Sequence, residues 1–307
     1  MHRPFALSLF FLGVAGCGPA PRNDYNPPPP TVDMARSALD LDNRNADAAA
    51  PNPNDCTEVA GCYTVYAHGD HVLYKIDLAN KSLVTVGNFN APMVTLPNGK
   101  MAEDVVTDIA VAPDNTIYGI SHEYLYRVDA KDAHVTSIGA VTQCGQDNVA
   151  LTTTPDGTLY AADFKGAFCK IDITTRPPTV KVVGMLGGNL AVSGDLVAVK
   201  DGTIFATAYN LNNGATQMNN TLIKIDPATG RATQTIGATG FPRLYGAAFD
   251  QGVVFGFTHD GSGDVITIDP KTGKGSLYKT FTDPMTNMGI SFAGAGVNSM
   301  VQAPPPG

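Results

Sequence analysis

Beyond about residue 60 the chain alternates apolar and polar residues in short runs that stop at small, turn-forming residues. One unit reads Asp108-Ile-Ala-Val-Ala-Pro-Asp-Asn-Thr-Ile-Tyr-Gly-Ile-Ser-His122, continues through Tyr124-Leu-Tyr-Arg-Val-Asp129, and ends in Val135-Thr-Ser-Ile-Gly139. Similar units follow, so that the equivalent first-run positions Ile109, Leu151, Leu196, Gly246 and Ile290 lie 42, 45, 50 and 44 residues apart. Each unit holds four runs with a period of two, separated by Asp-Gly, Thr-Gly or related turns in which glycine supplies a positive φ. No stretch sustains a 3.6-residue period. The pattern predicts four short antiparallel strands in every unit of roughly 45 residues and no helical layer.

A single four-stranded sheet of this kind has two apolar faces and cannot bury both until copies stack around a ring. The two ends of the repeat region fit such a ring. Residues 289–296 read as a first strand with no continuation, while 63–68, 72–77 and 83–87 read as strands two to four lacking a first. The predicted fold is therefore an all-β propeller of five four-stranded blades, closed by pairing of N- and C-terminal strands. The strings Pro-Asp-Gly-Thr-Leu-Tyr (155–160) and Ile-Asp-Pro-Ala-Thr-Gly (225–230) resemble those of YVTN- and NHL-like bacterial propellers over roughly residues 60–298. That resemblance implies a turn and a blade, not an activity. Kelch and quinoprotein propellers are disfavoured, because both normally use Trp and this chain has none.

The N-terminus follows a different pattern. His2 and Arg3 precede an apolar run from Phe5 to Val14, too short to span a bilayer of roughly 30 Å as a helix. The run ends in Val14-Ala15-Gly16-Cys17, which resembles the bacterial lipoprotein signal. The resemblance implies removal of residues 1–16, acylation of Cys17, and a membrane partner through the lipid anchor. Gly18 in place of Asp after the cysteine implies sorting to the outer membrane of a bacterial cell envelope. Residues 17–55, with the run from Pro27 to Pro30, are too poor in large apolar side chains to offset their ordering entropy and read as a tether. The propeller is expected over 56–298 and a frayed tail over 299–307.

With Cys17 lipidated, Cys56, Cys62, Cys144 and Cys169 remain, an even number in an exported, oxidising compartment. Of the three pairings, Cys56 with Cys62 and Cys144 with Cys169 is favoured. A four-cysteine zinc site is the alternative, though no CxxC knuckle is present. Composition narrows the function classes. A formal net charge of −8, from 20 Lys+Arg against 28 Asp+Glu, disfavours a nucleic-acid partner, whose binding draws chiefly on basic residues.

Candidate chemistry is sparse. Asp77, Asp129, Asp172, Asp226 and Asp269 recur at the ends of the third strands, where a carboxylate before a turn caps the hairpin. Residues 258–264 start like a calcium loop but lack the downstream Glu and read as a Gly-rich hairpin. His68, His122 and His259 align at the ends of second strands, in three blades that ring closure makes neighbours; Tyr209 and Asp163 stand there in the other two. Together with Asp108 and Asp195 these imidazoles can form a metal or ligand site at the channel mouth, or they are solvated hairpin residues. The carboxylate-rich metal set of lactonase-like propellers is not recognisable. No GxSxG, P-loop, HExxH or dinucleotide motif occurs, so no cofactor is expected, catalytic residues stay unassigned, and an enzyme is possible but not indicated. Two functions remain: a lipoprotein whose propeller binds a protein or glycan on its loop face, including the Asn-rich 210–220 insertion, and a metal-dependent hydrolase or lyase.

Overall fold

The structure, a computed structural model, describes residues 63–95, 99–141, 144, 147–213 and 220–301. The expected signal segment 1–16, tether 17–55, Cys17, the Cys56–Cys62 pair and the centre of the 210–220 insertion lie outside the described residues.

Five antiparallel four-stranded sheets make five blades. Blade 1 holds β1 (Val65–His68), β2 (Val72–Asp77) and β3 (Ser82–Asn88), followed by a separate hairpin of β4 (Met93–Thr95) and β5 (Met101–Glu103). Blade 2 is β6 (Asp108–Val111), β7 (Ile117–Ile120), β8 (Tyr124–Val128) and β9 (Val135–Ala140). Blade 3 is β10 (Asn148–Thr153), β11 (Leu159–Asp163), β12 (Ala167–Asp172) and β13 (Thr179–Met185). Blade 4 is β14 (Leu190–Ala198), β15 (Ile204–Asn210), β16 (Thr221–Ile225) and β17 (Ala232–Ala238). Blade 5 is β18 (Leu244–Asp250), β19 (Val253–Thr258), β20 (Asp264–Ile268) and β21 (Gly275–Thr280).

The ring closes as the sequence pattern requires. β22 (Gly294–Gly296) pairs antiparallel with β1, Tyr66 facing Gly296 and His68 facing Gly294, and so completes blade 1 from the far end of the chain. The innermost strands β6, β10, β14, β18 and β22 adjoin one another in that order, and β22 adjoins β6. The closing strand is shorter than the 289–296 expected: Ala293 N–H still donates to His68 O at the end of β1, but Phe292 N–H donates to Thr258 O at the end of β19 in blade 5. The packed domain also runs past the expected limit at 298. Val301 is buried in the core, and Lys200 N–H donates to its carbonyl.

Alternation along the strands places apolar side chains between adjacent blades, so that each sheet buries both faces. Phe89 and Val106 pack between blades 1 and 2, and Leu125 and Leu151 between blades 2 and 3. Phe168 and Val192 pack between blades 3 and 4. Between the first and second strands the chain reverses on a left-handed residue, Gly157 at φ 81° in blade 3 and Asn115 at φ 64° in blade 2. All five third-strand aspartates cap their hairpins, Asp77 accepting from Asn80 N–H and the other four from the N–H two residues on. Cys144, in the link to blade 3, bonds to Cys169 in β12 with Cα atoms 5.9 Å apart. This is the pairing expected, and both residues are buried.

Candidate functional site

Strand register fixes which positions of the blades are equivalent. Val65, Ile117, Leu159, Ile204 and Val254 each face the matching third-strand residue, Ile76, Val128, Ile171, Ile225 and Ile268. Five residues further on, where the second strand leaves the sheet, stand Asp70, His122, Phe164, Tyr209 and His259. These five form a ring around one cavity of about 490 Å³ at the end of the channel that carries the second-to-third-strand hairpins. A second ring beneath it comes from the innermost strands: Thr107, Val149, Gly194, Tyr245 and Ala293. In three blades the register of the innermost strand breaks here, between Asn148 and Ala150, Val192 and Leu196, and Leu244 and Gly246. The bulges leave Val149, Gly194 and Tyr245 off the ladder, and these are the residues that reach the cavity.

The walls are mostly carbon. Tyr245 and His259 stack with ring centroids 4.6 Å apart. His259 Nδ1 lies 3.1 Å from Phe292 O, and a carbonyl only accepts, so Nδ1 carries a proton there. Tyr209 Oη donates to Phe164 O at 2.8 Å, tying blade 4 to blade 3. Burial, then the neighbouring Tyr245 and Asp163, push the Tyr209 phenol above its usual pKa. His122 and Asp70 are exposed at the rim. Gly194 has no room for a side chain, since a Cβ there would lie 2.4 Å from Tyr245 Cα.

One layer below, the cavity is sealed. The equivalent positions are Gly294, Asp108, Ala150, Asp195 and Gly246, and the next residues, Ile109, Leu151, Leu196, Ala247 and Ala295, turn their N–H groups to the channel axis. Two carboxylates collect all five. Asp108 accepts from Ile109 at 2.8 Å and Leu151 at 2.6 Å. Asp195 accepts from Leu196 at 2.5 Å, from Ala247, and from Ala295 at 3.3 Å. Burial raises the pKa of both groups well above the usual carboxylate range. The charge of Asp195 and the hydrogen bond to it raise Asp108 further, whereas three N–H donors favour the Asp195 anion. Two carboxyls so buried and so close do not both ionise, and the pair holds a proton between them. The other three positions are small because the carboxyls fill the axis. A Cβ on Gly294 would sit 2.4 Å from both Asp108 Oδ1 and His68 Nε2.

His68 belongs to this floor, not to the mouth. It is equivalent to Ile120 and Phe257, two positions before His122 and His259, which corrects the alignment of the three histidines. The ring is fully buried, edge-on to Phe89 at 5.4 Å. Its Nδ1 donates to Gly69 O at 2.8 Å, leaving Nε2 without a partner. Burial lowers its pKa to about 4, against smaller opposing effects of Gly69 O and Asp70. Of the five residues expected at one mouth site, His122 and His259 are brought together around the cavity; His68, Asp108 and Asp195 lie under it. Among the described residues no group of three or more His, Cys, Asp or Glu is placed to hold a metal ion. Asp70, Phe164 and Tyr245 went unrecognised in the sequence. The second-to-third-strand hairpins differ in length between blades, so counting back from the third-strand aspartate does not find the ring.

No curated protein matches the chain. A solved structure described as "Structure of Dos1 propeller" is 13% identical, with 69% of this chain covered and a TM-score of 0.43; the chain spans only 57% of that protein. Another, described as "The de novo evolutionary emergence of a symmetrical protein is shaped by folding constraints", is 16% identical over 79% of this chain and 100% of that one, with a TM-score of 0.43. These likenesses concern fold alone. The family described as "Repeat of unknown function (DUF6923)" matches residues 114–282, from the first turn of blade 2 to the end of blade 5. With more than half its length matched, the chain belongs to the DUF6923 repeat family.

Proposed function

We propose that this protein is a lipid-anchored, exported protein of the bacterial cell envelope. Its propeller acts as a binding or scaffold module of YVTN/NHL-like type that presents the channel mouth to a protein or glycan partner. The observation that carries the reading is the contrast along the channel axis. Five blades contribute equivalent residues to an open cavity of about 490 Å³, while the layer below is closed by Asp108 and Asp195. A concave, mostly apolar site with a few placed polar groups, carried on hairpins over a rigid ring, is how binding scaffolds are built. The leader ending at Cys17 supplies the address, and the Pro-rich stretch to residue 55 supplies a tether long enough to hold the mouth clear of the bilayer.

Two measurements test this. Cys17→Ser should leave an unprocessed precursor or release the protein from the detergent-soluble membrane fraction; a variant still processed and membrane-bound refutes the anchor. Glycan arrays and immobilised envelope proteins should retain the wild-type chain and lose a Tyr209→Leu/Tyr245→Leu variant. They should still retain Arg127→Ala, whose guanidinium donates to Thr116 on a first-to-second-strand turn at the other end of blade 2. Equal retention of all three refutes the mouth as the binding end.

A further inference from the structure

Resting on the mouth as the binding site, we infer that the group it admits is an organic cation: an ammonium or similar centre on an apolar or aromatic body. The cavity is walled by aromatic faces, with Phe164, Tyr209, Tyr245 and the His259 ring all on its surface. Its one carboxylate is Asp70, exposed at the rim, and no Lys or Arg lines it among the described residues.

Three of the polar groups on the walls turn acceptors to the cavity. In the neutral ring His259 uses its Nδ1–H on Phe292 O and offers the Nε2 lone pair. Tyr209 spends its hydroxyl proton on Phe164 O and offers only oxygen lone pairs. Thr107 spends its own proton on the Ile120 or Asn148 carbonyl. An anion entering here would meet lone pairs, the negative faces of rings and a carboxylate. A cation would meet the same groups as attraction, since ring quadrupoles favour a positive charge over their faces.

The hairpins around the mouth reinforce the sign. They carry Asp70, Glu123, Asp163 and Asp260 against Lys165, and the adjoining link to β18 adds Arg243 beside Asp260. Lys165 is itself held, its Nζ 3.1 Å from Asp147 and 5.7 Å over the Phe164 ring. That ring thus already carries an ammonium group paired with a carboxylate, the same chemistry inferred for the cavity.

Calorimetric titration of the purified full chain with phenyltrimethylammonium tests the inference. Its neutral isostere tert-butylbenzene and the anion benzenesulfonate serve as controls. The cation should bind at least about tenfold more tightly than the isostere, within the range of desolvated cation–π contacts. Asp70→Asn should weaken the cation several-fold and leave the isostere unchanged, and raised salt should erase that difference, because the carboxylate is exposed. Tyr209→Leu/Tyr245→Leu should abolish binding of the cation. An isostere or anion that binds as well as the cation, with binding still lost in the double variant, overturns the cation and leaves the mouth standing. Binding that survives the double variant, or no binding of any probe, overturns the cation site altogether; the envelope-ligand experiment then decides the mouth separately.

Discussion

Two rings in the same channel, with one layer between them, each take one position from every one of the five blades, yet they do opposite things. The upper ring, Asp70, His122, Phe164, Tyr209 and His259, differs in chemistry from blade to blade and surrounds open space. The lower ring, Gly294, Asp108, Ala150, Asp195 and Gly246, is two carboxyls and three small residues. It exists to satisfy five inward N–H groups that no neighbouring strand can reach. A repeated blade thus solves its backbone problem once, at the floor, and leaves the mouth free to vary. Polar residues found at a channel axis are not all functional; these acids are buried because the fold needs acceptors there.

Removing the floor should cost most. Asp195→Ala strands the N–H groups of Leu196, Ala247 and Ala295, each worth about 1–3 kcal/mol when buried without a partner. Urea unfolding should show a loss of several kcal/mol or no cooperative transition. Asp70→Ala at the mouth, by contrast, should stay within about 0.5 kcal/mol of wild type. Equal effects would erase the distinction between the rings.

The disulfide should come next. Cys144→Ser/Cys169→Ser opens a loop of 25 residues, for which the chain-entropy description gives about 3 kcal/mol. Thermal unfolding with and without reductant measures it; a wild-type melt unaffected by reductant would contradict the bridge's role.

The floor also carries a pH signature. Asp108 holds its proton more tightly folded than unfolded, so its contribution is complete at acid pH and is lost as pH rises towards its folded pKa. His68, lowered from 6.5 to about 4, works in the other direction: stability rises as pH increases between those values. The two oppose each other below pH 6.5. Stability should fall as pH rises above the ordinary carboxylate range towards the folded pKa of Asp108, with His68 offsetting that fall below pH 6.5, and Asp108→Asn should remove it. An Asp108→Asn profile that falls as steeply as the wild type would overturn this role of Asp108. A smaller loss belongs to Tyr209→Phe, which gives up one hydrogen bond to Phe164 O and about 1 kcal/mol; chemical denaturation resolves it, and a loss as large as that of Asp195→Ala would contradict the contrast.

How much of this was legible in the sequence depends on what each feature answers to. Blades, turns and closure answer to local pattern: period-two runs, Asp-Gly turns, and an unpaired strand at each end of the repeat. The Cys144–Cys169 bridge followed from blade geometry. The rings answer to register, and there the reading slipped by two residues at His68, which stands three places past Val65 whereas His122 and His259 stand five places past Ile117 and Val254. Asp108 and Asp195 stood out as polar residues on innermost strands. Their role did not, since hydrogen bonds spanning 43, 52 and 100 residues leave no local trace.

The histidine rings give the most direct test, because His122 and His259 belong to the upper ring and His68 lies beside Gly294 and Asp108 of the lower. Heteronuclear spectra of the three imidazoles, recorded while phenyltrimethylammonium is titrated into the full chain, read both rings at once. The account predicts saturable shifts at His259 and His122 and none at His68. Shifts centred on His68, or a titration that moves none of the three, would contradict it.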